Sequence, residues 1–78
     1  MLSDTAKQRR RLFAERLRDS RIKLKLSQQR LAYLFAGKAC PQLVNNWERG
    51  RGMPHACAVP ELAALLGVRP AWLLGWED

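Results

Sequence analysis

The sequence predicts an all-α domain: a compact arrangement of five short helices containing a helix-turn-helix. Three observations carry that prediction. Apolar residues recur at helical spacing along most of the chain. No segment alternates apolar and polar residues over four or more positions with β-branched enrichment, so strand signals are absent. Capping residues, prolines and glycines punctuate the chain at intervals that suit short helices. With 78 residues there is room for one small domain, residues 1–78, whose core runs over about 12–75 behind a basic segment at 7–11.

The first helix is expected from about Thr5 to Lys25, where Leu12, Phe13, Leu17 and Leu24 fit one apolar stripe and arginines crowd the other faces. Ser27 is a plausible N-cap for a second helix, SQQRLAYLF. Leu31, Leu34 and Phe35 give it an apolar face, Ala32 lets a neighbour come close, and Gly37 stops it by tolerating positive φ. Pro41 suits the first position of a third helix, Pro41 to Arg49, which Gly50 ends. RGRGMP is a loop, and a fourth helix starts near Val59–Pro60, runs through ELAALL and stops at Gly67. Pro70 starts a fifth, RPAWLLGW.

Composition narrows the function. Hydrophobic content of 47% and charged content of 27% describe a globular chain. No apolar run approaches the ~20 residues needed to span a membrane, and MLSDTAKQRRRL has no apolar secretory core, so a cytoplasmic protein is expected. The net charge is +7, distributed as +6 over residues 1–25, +3 over 26–53 and −2 over 54–78. That asymmetry suggests that a polyanion faces the first two thirds. Cys40 and Cys57 lack C-x-x-C spacing, and His55 beside Cys57 does not complete a zinc site. Both thiols are expected to be partly buried in a reducing compartment, with no metal and no cofactor. One His, no P-loop and no paired carboxylates on a helix face leave an enzyme reading without support.

The most informative stretch is PQLVNNWERGRGMP, residues 41–54. Val44 and Trp47, three apart, point one way, while Gln42 and Asn46, four apart, point another with Asn45 beside them. Two short helices joined by a glycine turn, the second rich in amides, form a helix-turn-helix pattern. Gln and Asn amides match the N7 acceptor and N6 donor of adenine in the DNA major groove. Leu43, if exposed, meets a thymine methyl. The plainer alternative is an amide face that meets only water.

RIKLKLSQQRLA, then VNNWERG, then PELAALLGVRPAWLLG together resemble the phage-repressor (Cro/C1-type, XRE) helix-turn-helix family, closest to the lambdoid phage repressors, over about residues 12–75. The resemblance implies a lambda-repressor-like DNA-binding domain. It assigns Gln28 to a phosphate grip at the start of helix two, Gln42 and Asn46 to base reading, and Asn45 to a base or backbone contact beside them. It assigns Arg49 and Arg51 to the DNA backbone past the recognition helix. Arg21 and Glu48 match a partly buried ion pair tying helix one to the end of helix three. Trp72 and Leu73 match a fifth helix that packs on the core and helps form a dimer. Trp76 has no assigned family role and is grouped with them as a possible dimer contact.

The sequence also departs from the family. The interval from Gln28 to Trp47 is two residues longer, around AGKAC, where Lys38 is a candidate for an added phosphate contact. Gly37 is displaced, Pro41 replaces a frequent polar reader, and Cys40 replaces the Ser/Thr N-cap, which it does poorly. The basic run KQRRR, residues 7–11, is either the solvated start of helix one or a segment that approaches the DNA backbone or reaches around the duplex as an arm.

The expected function is a DNA-binding transcriptional regulator of phage or prophage type, a homodimer on a palindromic operator in double-stranded DNA, with RNA polymerase as a possible partner and no membrane. The alternative is an antitoxin or other protein-interaction module on the same fold. The few residues after helix five, ending in WED, weigh against a toxin-wrapping tail. A related alternative is that the chain is a fragment, since many repressors of the family it resembles continue into a further C-terminal domain.

Overall fold

The structure, a computed structural model, describes residues 2–35 and 40–77, with side chains from residue 7 onward. Five α-helices follow one another: α1 (Leu2–Lys23), α2 (Gln28–Leu34), α3 (Pro41–Glu48), α4 (Val59–Leu66) and α5 (Pro70–Leu73). A 3-10 turn, Ala56–Ala58, leads into α4, and no strand occurs among the described residues. The domain is all-α. α1 has 22 residues, which at about 1.5 Å each gives roughly 33 Å. It sets the long axis of a molecule measuring 36 × 23 × 22 Å.

Helix starts follow local chemistry. The Ser27 hydroxyl accepts a hydrogen bond from the Arg30 N–H at 2.9 Å, capping α2. Proline stands in the first turn of α3, α4 and α5, where its missing N–H loses no helical bond. Cys40 precedes α3 without making a side-chain cap. Gly67, at φ +71°, ends α4 in the left-handed conformation. Gly37, the expected stop of α2, lies outside the described residues.

α1 starts and stops earlier than its pattern predicts. Lys25 adopts φ +60°, which no helix can run through. The chain therefore leaves the helix after Lys23, and Leu24, expected in the apolar stripe, is 47% exposed.

The core is one cluster drawn from every helix. Phe13 and Leu17 come from α1, Val44 and Trp47 from α3, Leu62, Ala63 and Leu66 from α4, and Leu73 from α5. Leu31 and Ala32 of α2 join them with Phe35 at its end. The Phe35 and Trp47 rings meet edge to face, centroids 6.3 Å apart at 76°, the arrangement their quadrupoles favour. Leu34 departs from expectation. The buried line of α2 runs through Leu31 and Phe35, which turns Leu34 to the flank and leaves it 39% exposed.

α1 packs against α3, α4 and α5, and α2 packs against α3. The last turn is clasped onto α1. The Arg16 guanidinium lies 4.6 Å over the Trp72 ring and donates to the carbonyls of Trp72 and Glu77. Gly75, at φ +82°, lies so close that a Cβ there would sit 2.9 Å from Leu12 Cδ2.

Two further expectations are corrected. Leu73 is 0% exposed, so it belongs to the core and offers nothing to a dimer partner. Cys40 and Cys57 are both exposed free thiols, because one precedes α3 at the surface and the other sits in the 3-10 turn. No helix among the described residues is long and apolar enough to cross a membrane.

Candidate nucleic-acid interface

Burial of Val44 and Trp47 fixes the rotation of α3 about its axis. At about 100° per residue, Gln42, Asn46 and Arg49 then fall on the side opposite the core, with Asn45 beside them. Gln42 and Arg49 are exposed and Asn45 and Asn46 half-buried. Leu43 is 40% exposed on the flank, although it lies next to core-facing Val44. The Gln42 Nε2 donates to Asn46 Oδ1 at 3.4 Å, a long contact that leaves the carbonyl oxygen of this exposed side chain available as an acceptor.

Behind this face a continuous set of polar contacts joins three helices. Glu48 Oε2 accepts from Arg21 Nε at 2.6 Å, and Oε1 accepts from Arg21 Nη2 at 3.0 Å. The pair is largely withdrawn from solvent, with side-chain exposures of 13% for Arg21 and 5% for Glu48. Arg21 Nη1 also donates to the Leu26 carbonyl at 2.6 Å, tying the α1–α2 turn to the same guanidinium. Gln28 Nε2 donates to Glu48 Oε1 at 3.1 Å, and Gln28 Oε1 accepts from Asn45 Nδ2 at 3.4 Å. The forked geometry of arginine is what allows one residue to serve a carboxylate and a carbonyl together. The amide of Gln28, expected to meet a phosphate, is thus turned toward α3, with one of its two N–H groups still uncommitted among the described residues.

Past α3 the chain turns at Gly50, φ +73°. The N–H of Gly50 bonds to Trp47 O at 3.1 Å and that of Arg51 to Asn46 O at 2.9 Å. Arg49 and Arg51, on either side of the glycine, are both exposed. Lys38 lies outside the described residues. The run KQRRR forms part of α1 itself, so it is no extended arm. Trp72 is half-buried under Arg16 and Trp76 is 66% exposed.

Some contacts carry no sequence signal. Gln28 and Asn45 are 17 residues apart, and nothing in either residue announces the other. The Arg30 guanidinium over the Tyr33 ring at 5.4 Å was detectable, because residues three apart share a helix face. Among the described residues no three His, Cys, Asp or Glu side chains gather as a metal would need. In comparisons with known proteins, no family model, no curated protein and no solved structure matches the chain.

Proposed function

We propose that the chain is a sequence-specific DNA-binding transcriptional regulator of phage-repressor type, a cytoplasmic, non-enzymatic protein. In this reading α2 and α3 act as a helix-turn-helix, and α3 enters the major groove. The observation that carries it is the division of α3, with Val44 and Trp47 in the core and Gln42, Asn46 and Arg49 on the far side. Amides there have the donor and acceptor pattern that adenine edges complement. The net charge of +7 supplies the long-range attraction to a polyanion.

Binding as a homodimer would place two copies of α3 roughly 34 Å apart, one helical turn of DNA. With Leu73 internal, Trp72 of α5 and Trp76 just after it are the side chains left for that contact. Occupying a promoter would exclude RNA polymerase, and touching polymerase would recruit it. A second reading, an antitoxin or other protein-interaction module, is favoured by the exposure of Tyr33 and Trp76, at 72% and 66%.

The test is selection from a random duplex pool, followed by sequencing, with wild type beside Gln42→Ala/Asn46→Ala. A palindrome enriched by wild type and lost by the variant, which keeps weak salt-sensitive binding, supports the regulator. Wild type that binds all sequences alike or none refutes base reading and turns the search to a protein partner.

A further inference from the structure

Lys7, Arg10 and Arg11 follow the i, i+3, i+4 spacing that lines up one face of a helix. Glu15 continues that face one turn on. The stripe forms one wall of an open cleft, and the other wall is Glu48, Arg49 and Gly50 at the end of α3. Two basic segments that lie 38 residues apart between Arg11 and Arg49 (49 − 11) are thereby brought to one place.

The charges in this cleft do not cancel. Four cations face two carboxylates, and one of those, Glu48, is already held by Arg21 at 2.6 Å. Among the described residues, no carboxylate lies within ion-pair distance of Lys7, Arg10, Arg11 or Arg49. A Cβ at Gly50 would meet nothing within 4 Å, so the wall there is low and open. Arg49 belongs both to this cleft and to the outer face of α3, so the cleft continues directly from the amides.

We infer that this cleft seats a phosphodiester of the DNA backbone flanking the groove that α3 enters. The start of α1 is then part of the binding surface through defined contacts rather than a diffuse positive field. The inference rests on the DNA-binding reading and extends it to Lys7, Arg10 and Arg11. Phosphate contacts of this kind fix the orientation of a reading helix without themselves reading sequence. Among the described residues Glu15 is the one carboxylate in the cleft without a cation partner, so it opposes the phosphate.

The test compares salt dependence. Wild type, Arg10→Gln/Arg11→Gln and Arg49→Gln are titrated by fluorescence anisotropy on the selected duplex, or on the random pool if none is selected. The control is Arg9→Gln/Lys23→Gln, which removes the same charge as the double variant from exposed positions on the other flank of α1. Gln is close to Arg and Lys in helix propensity, so α1 is retained.

Each lost phosphate contact should reduce the log–log salt slope by about 0.9, roughly a 3.5-fold weaker response between about 50 and 200 mM salt. That loss is expected for both cleft variants and not for the control. Glu15→Gln should tighten binding, and Asp19→Asn, outside the cleft, should not. Equal slopes for cleft variants and control overturn the inference.

The two readings fail separately. A palindrome selected with no slope difference sinks the cleft and leaves base reading. A slope difference with no palindrome selected does the reverse.

Discussion

Removing Arg21 while leaving Glu48 in place is the sharpest test of how the domain is held together. Glu48 keeps only 5% of its side-chain surface and satisfies its two oxygens with Arg21 Nε, Arg21 Nη2 and Gln28 Nε2. Arg21→Met keeps much of the aliphatic stem but deletes both guanidinium bonds to the carboxylate and the 2.6 Å bond to Leu26 O. Gln28 alone then faces a charge that water can barely reach. Breaking one side of such a pair costs about 3–5 kcal/mol. The total stability expected of a domain this size is of order 5–10 kcal/mol, so the loss is a large part of it. In thermal terms it corresponds to a fall in Tm of roughly 12–24 °C for a loss of ~3 kcal/mol. Urea unfolding followed by tryptophan fluorescence reads the change, since Trp47 is 5% exposed and adjoins Glu48. The double variant Arg21→Met/Glu48→Leu removes the stranded charge and should recover most of the loss. If Arg21→Met alone costs less than about 1 kcal/mol, the value of an exposed pair, then the contact is a surface one and the reasoning is refuted.

Other outcomes follow from the same structure. Phe13→Ala, at a position 0% exposed, should lose about 3–5 kcal/mol in urea unfolding. Cys40→Ser should gain about 0.5–1 kcal/mol, because the serine hydroxyl can supply the cap that Cys40 does not make; an unchanged midpoint would show that the turn cannot present it. Gly75→Ala should destabilise more than Gly50→Ala in thermal melts. Both glycines have positive φ, but only Gly75 would press a Cβ against Leu12. Arg16→Gln should quicken amide exchange in residues 74–77 while leaving α3 protected, since the clasp on Trp72 and Glu77 is local to the tail.

The starts of α2 to α5 were the most legible feature of the sequence. Ser27, Pro41, Pro60 and Pro70 each act within one turn of their own position, so their effect needs no knowledge of the fold. The end of α1 was not legible, because Lys25 takes a conformation that lysine rarely adopts and that only its surroundings impose. Leu24 and Leu34 misled for a related reason. A stripe drawn on an isolated helix does not say where neighbours stop covering it. The opposed faces of α3 were legible from Val44, Trp47, Gln42 and Asn46 alone. The cleft between α1 and Arg49 was not, because it exists only once α1 and α3 lie side by side. Arg21 and Glu48 were paired by resemblance; their 27-residue separation carries no local signal.

The clasp at the end of the fold has a consequence for the order of events during synthesis. Arg16 is bonded to carbonyls 56 and 61 residues further along the chain, and Leu12 lies against Gly75. A growing chain emerges N-terminus first at roughly 5–20 residues per second. α1 is therefore made several seconds before the segment that covers its Leu12–Arg16 side exists. Through that interval the newborn helix presents Phe13 and Leu17 to the cell with their eventual neighbours incomplete. The arginines around that stripe give the segment a net positive charge, and charge of one sign favours dispersal over association.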